Sequence, residues 1–233
     1  MHLFYHPELG KSVTTLEGEE FGHCTRVLRH IEGDQINITD GKGLKVLVTI
    51  TQINKNELFF AINQQTVQER PARPIQLFLA PTKQQERMEW MTEKLAELGV
   101  ASINFIQCNN SERAKLRLDR LRKKTLSALK QSKGAWLTEV NEMISFSDAL
   151  QKSTADLRLL AALHTTTIPF KSVLTAEPSI DLFIGPEGDF SPRELDQALA
   201  KGMTIVSLGD QVLRTETAGL YVCAAAHFAH QTN

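Results

Sequence analysis

Several features that would place a sequence in a class at once are missing here. Cysteine is scarce: Cys24, Cys108 and Cys223 are odd in number and far apart, so they build neither a disulfide framework nor a metal-ligand spacing, and a reducing compartment fits best. No apolar run approaches the roughly 20 residues that a membrane span needs. The N-terminal MHLFYHPELGK has neither the basic flank nor the apolar stretch of an export signal. A cytoplasmic protein with no membrane partner and no metal is expected. Excess charge is lacking too, since 26 Lys and Arg against 27 Asp and Glu leave a net charge of -1. Repeats and low-complexity segments are absent. What remains is a chain of 233 residues, 42% hydrophobic and 23% charged, ordinary for a globular protein and long enough for one large domain or two smaller ones.

The charges are unevenly placed. Residues 1–70 carry a net -2, residues 71–140 a net +6 and residues 141–233 a net -5. From Arg113 to Lys133 there are 9 basic groups against 1 acidic group. Leu118, Leu121, Thr125 and Leu129 repeat at helical spacing, which predicts a helix over about Leu116–Gln131 with Arg117, Arg120 and Lys124 outward. Such a row of cations suits a polyanion.

The pattern changes once along the chain. DQINITD, LKVLVTITQI and ELFFAINQ read as strands separated by the turns Asp40-Gly41-Lys42-Gly43 and Asn54-Lys55-Asn56. With a short helix over Gly18–His30, residues 1–69 form a small β-barrel module. Pro71 and Pro74 then stiffen a linker at residues 70–74. In residues 75–233, continuous apolar runs at Ile75–Ala80, Ala101–Ile106, Leu157–Leu163, Ile180–Ile184 and Thr204–Leu208 alternate with helical patterns, including Glu86–Leu98 and Thr215–His230. That alternation predicts an α/β domain on a parallel sheet covered on both faces. The closing helix, AGLYVCAAAHFAH, is apolar enough for a deep core or a subunit interface.

Two strand-to-helix loops stand out. Ile184-Gly185-Pro186-Glu187-Gly188-Asp189 runs into Ser191-Pro192-Arg193-Glu194, a capping box with proline at the first helical position. In Ser207-Leu208-Gly209-Asp210-Gln211-Val212-Leu213-Arg214-Thr215-Glu216 a strand again runs into a glycine loop and then into a helix, with Arg214 and Glu216 at its mouth. Glycine loops at the carboxyl ends of parallel strands are where open α/β sheets bind ligands; a tight turn and a plain Arg214–Glu216 ion pair are the bland alternatives. In the first module Arg26 and Arg29, three apart, would share a helical face suited to phosphate. None of the seven histidines shows metal-like pairing.

The segments HCTRVLRHIEGD, ERMEWMTEKLAELGV, SER at 111–113, IGPEGDFSPREL and LGDQVLRTETA together resemble the RsmE family of 16S ribosomal RNA uridine methyltransferases, in the SPOUT superfamily. The resemblance spans the whole chain, in order and at family spacing. It implies an N-terminal PUA-like β-barrel that holds RNA and a C-terminal SPOUT α/β domain tied in a deep trefoil knot, an exception to the rule that chains are unknotted. It implies S-adenosylmethionine as cofactor, 16S rRNA or the small ribosomal subunit as partner, transfer to nitrogen 3 of a uridine in the decoding region, and a homodimer. By position, Leu163, His164, Gly185, Pro186, Glu187, Gly188, Leu208, Gly209, Leu213, Thr215, Thr217 and Ala218 would enclose the cofactor. Arg26, Arg29, Lys83 and Arg113 would face RNA, joined by Arg117, Arg120 and Lys124 of the basic helix.

The chain departs from the family pattern in places. Asp189 stands where a second glycine is more common, His2 where an arginine is, and Lys130-Gln131-Ser132-Lys133-Gly134 replaces a Glu-Gln-Ser-Gly-Arg run. Mechanistically, Arg214 would stabilise charge on the uracil oxygens, while Glu216 would act as base or orient Arg214. Two other classes compete. A non-catalytic RNA-binding assembly factor on the same fold conflicts with the intact GPEG and LRTETA segments. An enzyme on a phosphorylated metabolite, with the glycine loops as anion cradles, leaves the basic helix and the β-rich module without a role.

Overall fold

The computed structural model describes residues 2–11, 13–112, 115–163, 167–174 and 179–231. Spatial contacts divide the chain into two compact units, Met1–Arg70 with Leu126–Leu137, and Pro71–Thr125 with Thr138–Asn233.

In the first unit the expected strands become β3 (Gln35–Thr39), β4 (Leu44–Ile53) and β5 (Glu57–Val67). Two three-residue strands too short to show a period, β1 (Leu3–Tyr5) and β2 (Thr15–Glu17), complete a sheet ordered β1-β3-β4-β5-β2. β1 runs parallel to β3 and the other pairings are antiparallel. Alternate residues face inward: Phe4, Leu16, Ile36, Ile38, Val48, Ile50 and Leu58 are buried in one core. The turn after β3 needs its glycines, because Gly41 and Gly43 have φ of 68° and 104°, and a Cβ on Gly43 would lie 2.6 Å from the Gln68 carbonyl. Asp40 Oδ1 fastens that turn by accepting from the amides of Lys42 (2.7 Å) and Leu44 (3.0 Å).

The segment Leu126–Leu137 closes this unit. The amide of Gly43 donates to Ala135 O at 2.9 Å and that of Leu137 to Gly41 O at 2.8 Å. Trp136 Nε1 donates to the carbonyls of Gln68 and Glu69 at 3.1 and 3.0 Å, and the Arg70 guanidinium lies 5.7 Å from the Trp136 ring centroid. The helix expected over Gly18–His30 is shorter and irregular. It runs as α1 (Gly18–Gly22), then a π turn over His23–Val27, and Arg29 sits in the left-handed region at φ 58°. Arg26 and Arg29 therefore share no helical face, which corrects that expectation; the chain has left the helix between them.

The second unit holds seven strands: β6 (Ile75–Leu79), β7 (Ser102–Gln107), β8 (Glu139–Ser145), β9 (Leu157–Ala161), β10 (Ile168–Pro169), β11 (Ile180–Ile184) and β12 (Thr204–Ser207), in the order β10-β12-β9-β11-β6-β7-β8. Every pairing is parallel. The apolar runs are continuous because both faces are covered. In β6, Leu77 and Leu79 join one core with Met88, Met91, Val222 and Cys223, while Phe78 joins the other with Phe146, Phe183 and Leu195. Phe78 and Phe183 stack at 4.4 Å. The covering helices are α2 (Gln85–Glu97), α4 (Phe146–Lys152), the single turn α5 (Phe170–Val173), α6 (Pro192–Ala200) and α7 (Thr215–Gln231). A helix α3 (Leu118–Ser132) gives residues up to Thr125 to this unit and the rest to the first. Strand β8 is absent from the sequence reading because EVNEMIS, at the sheet edge, exposes most of its side chains and carries little apolar pattern. Among the described residues no helix is long and apolar enough to cross a membrane.

All three cysteines are free and buried, and burial pushes the Cys24 thiol up to about 12 and raises those of Cys108 and Cys223. None is a ready nucleophile. One acid is also buried inside the sheet. Asp181 of β11 accepts from Gln76 Nε2 (3.1 Å), Ser153 Oγ (2.7 Å) and the Ala155 amide (3.3 Å), yet burial lifts its carboxyl above the usual aspartate range. A raised value means that the folded chain holds this proton more tightly than the unfolded one. The resulting stability is present at acid pH and lost as pH rises through the raised value. Asp181→Asn, neutral throughout, is expected to gain on the wild type from acid to neutral pH in urea unfolding; a pH-independent difference would show that Asp181 does not titrate in this way.

Candidate active site

Strands β12, β9 and β11 are neighbours and parallel, so the loops that leave their carboxyl ends lie side by side. They enclose a cavity of about 210 Å³, lined by Ala161, Ala162 and Leu163 at the end of β9, Ile184–Glu187 and Asp189 at the end of β11, Leu208, Gly209 and Gln211–Arg214 after β12, and Thr215 and Ala218 of α7.

The β11 loop is held from several sides. The capping box read from sequence is present: Ser191 Oγ accepts from the Glu194 amide, and Glu194 Oε2 accepts from the Ser191 amide at 2.9 Å. Glu194 is buried, and its Oε1 accepts from the Asn109 amide at 2.9 Å. Asn110 Nδ2 donates to the carbonyls of Gly188 and Asp189, each at 3.0 Å. Gly185 cannot carry a side chain here, because a Cβ would lie 2.9 Å from the Phe190 ring. The third loop turns through Gly209 at φ 119°. Buried Thr215 joins the two loops by donating to Gly185 O at 3.3 Å.

Of the residues expected from sequence to enclose a cofactor, Leu163, Gly185, Pro186, Glu187, Leu208, Gly209, Leu213, Thr215 and Ala218 line this cavity, together with Arg214, whose side chain is exposed. Gly188 and Thr217 are exposed and do not line it. His164 and Arg113 lie outside the described residues. Gln211 and Val212, inside the loop from Leu208 to Arg214, also line the cavity, as does Asp189, which the sequence marks only as a departure from the family pattern and not as a wall of the site.

Glu216 behaves differently from either sequence reading. It is buried, does not line the cavity, and takes Arg87 of α2 as its partner at 3.5 Å, leaving Oε2 without a partner among the described residues. It ties the first turn of α7 to α2.

The expected cation row on α3 is less bare than its sequence suggests. Leu121, Thr125 and Leu129 are buried as the period requires, but α2 faces the outward side with acids. Arg120 pairs with Glu89 at 3.7 Å and Lys124 with Glu93 at 3.0 Å. Hydrogen bonds from Lys124 and Lys94 hold the Glu93 carboxyl below its usual range. Lys83 pairs with Glu112 at 2.9 Å, while Arg26, Arg29 and Arg117 are exposed. No group of three His, Cys, Asp or Glu among the described residues could hold a metal ion.

Arg87→Met would strand a buried carboxylate. It is expected to lower stability by about 1–3 kcal/mol, less than for a fully buried pair because Arg87 is 31% exposed. Arg87→Met with Glu216→Gln should recover most of that loss in denaturant unfolding. Equal losses in the single and double variants would show that the pair does not stabilise the fold.

Comparison with known proteins places this geometry. The RNA methyltransferase domain family matches residues 68–227 and the RNA methyltransferase PUA domain family matches residues 16–63. The probable rRNA-methyltransferase of Porphyromonas gingivalis has 36% identity and a TM-score of 0.91, covering 100% of this chain and 99% of that one. Ribosomal RNA small subunit methyltransferase E of Neisseria gonorrhoeae, bound to S-adenosyl methionine, has 28% identity and a TM-score of 0.84 over 98% of this chain and 97% of its own. Ribosomal RNA small subunit methyltransferase E of Bacillus subtilis is 25% identical over 229 residues, 92% of this chain and 89% of that protein. With a methyltransferase domain matched over most of its length and a PUA domain before it, the chain belongs to the RNA methyltransferase family.

Proposed function

We propose that this chain transfers the methyl group of S-adenosylmethionine to nitrogen 3 of a uridine in the decoding region of 16S ribosomal RNA, in the cytoplasm and as a homodimer. The observation that carries the reading is the cavity at the joined loops of β9, β11 and β12, in a chain whose methyltransferase E relatives align over nearly its whole length.

The cavity suits that cofactor. Leu163, Leu208, Val212, Leu213 and Ala218 supply apolar contact, and the two glycine-bearing loops bring main-chain amides and carbonyls close to whatever lies between them. When bound, the cofactor supplies an electrophilic methyl group on a positively charged sulfur. The protein's share is alignment and exclusion of water. Arg214, exposed at the cavity, is suited to stabilise the negative charge that spreads over the uracil oxygens as nitrogen 3 gives up its proton. Glu216, turned to Arg87, acts on the position of α7 and takes no part in proton transfer in this reading.

RNA would be held by Arg26 and Arg29 on the first, β-rich unit, and by Lys83, Arg113, Arg117, Arg120 and Lys124. A phosphate that binds Arg120 or Lys124 competes with Glu89 or Glu93, so each such contact yields less than a bare cation would. The target base must be unpaired or splayed out to be reached. Tyr221 and Phe228 of α7, 47% and 68% exposed, supply an apolar surface for the second subunit.

Calorimetric titration should show binding of S-adenosylmethionine and none of ATP; a folded protein that binds neither would leave a non-catalytic RNA-binding factor as the better account. Arg214→Ala is expected to lower turnover by roughly 10²–10³-fold with little change in cofactor affinity, and equal loss of both would make Arg214 a cofactor ligand. Phe228→Asp should shift sedimentation from dimer to monomer, and a wild-type monomer would remove the homodimer.

A further inference from the structure

Asp189 combines three features that no other residue of the cavity shares. Its backbone is left-handed, φ 58°, which glycine adopts without strain and other residues rarely do. Both of its carboxylate oxygens accept main-chain hydrogen bonds, Oδ1 from the Phe190 amide at 2.8 Å and Oδ2 from the Leu163 amide at 2.9 Å. Leu163 and Asp189 belong to two different walls of the cavity, the loops after β9 and β11. A glycine at 189 would relieve the backbone and lose both bonds.

We propose that Asp189 is a positioning residue for the cofactor: its carboxylate staples the loop after β9 to the loop after β11 and fixes the width of the cavity between them. The β9 strand ends at Ala161, the amide of buried Ala162 still donates to Val206 O of β12 at 3.1 Å, and Leu163, the next residue, is 63% exposed. The bond from its amide to Asp189 Oδ2 fastens it to the glycine loop. At the other end the staple is rigid, because the Asp189 amide donates to Pro186 O at 2.9 Å and its carbonyl accepts from Asn110. A charged acceptor that serves two amides holds them more strongly than a neutral one. The strained backbone at 189 is then the cost of placing that carboxylate where it reaches Leu163.

The proposal rests on the reading that this cavity takes S-adenosylmethionine, and the experiment separates the two. Asp189→Gly restores the unstrained residue without the staple. Asp189→Asn keeps the size and tolerates the left-handed backbone, but replaces one acceptor by an NH₂ group that faces an amide N–H. Both variants should unfold at or above the wild-type midpoint in the case of glycine and near it for asparagine. Both should bind S-adenosylmethionine about tenfold more weakly and raise its KM by a similar factor, with kcat at saturating cofactor close to wild type. Amide exchange at Leu163 should speed up at least about tenfold while the strands keep their protection. Wild-type affinity in Asp189→Gly, or unchanged exchange at Leu163, would overturn the proposal. So would a fall in stability parallel to the fall in affinity, which would make Asp189 a residue of the fold alone. If the wild type itself takes up no S-adenosylmethionine, the cofactor reading fails and exchange at Leu163 still decides whether the staple exists.

Discussion

Parallel pairing of β12, β9 and β11 through the middle of the second sheet is the constraint on which the site depends. Parallel strands deliver all their carboxyl ends to one edge, and neighbours lie only about 4.8 Å apart. Segments near residues 163, 186 and 210 are thereby brought together without any contact between them in sequence. The same pairing forces helices onto both faces and makes the strands apolar throughout. Chemistry is then confined to the loops, and the loops need external fastening: Thr215 to Gly185, Asn110 to Gly188 and Asp189, Asn109 to Glu194. The cavity is a property of these ties as much as of the strands.

Electrostatics in this protein is a matter of which element faces which. The run from Arg113 to Lys133 looks like an uncompensated cation stripe in one dimension. In three dimensions α2 lays Glu89 and Glu93 beside it. Exposed pairs of this kind add little to stability, so their effect is to lower the field that a polyanion meets. Glu216 follows the same logic in the interior, where a carboxylate near the mouth of α7 is claimed by an arginine from another helix.

The legible parts of the fold were those with a period. Apolar runs gave the buried strands, Ile180–Ile184 to the residue, because a strand covered on both faces has no polar alternative. The capping box located α6 because its two hydrogen bonds are local. Short strands such as β1 and β2, the edge strand β8 and the π turn after α1 carried no such signature. At the site, residue types and spacing pointed to the two glycine loops, but not to which side chains enter the cavity. Gly188 and Thr217 sit within the right segments but do not line the cavity, whereas Asp189, a departure from the usual pattern, does. Side-chain direction at a loop depends on distant partners, Asn110 and Leu163 among them, that no local window contains.

The strip Leu126–Leu137 has a consequence for inheritance. The β-rich unit is finished by a piece of chain encoded more than fifty residues after its last strand, through Ala135, Trp136 and Leu137. A single crossover at the proline linker would hand a recombinant gene the sheet without the strip that covers its Gly41–Gly43 turn. Exchange of this module between genes therefore requires three breakpoints, after residues 70, 125 and 137, one of them inside the helix α3, where an out-of-register join would also rotate every buried leucine. The two units are separate as packed bodies and inseparable as lengths of sequence, so they are expected to be passed on together.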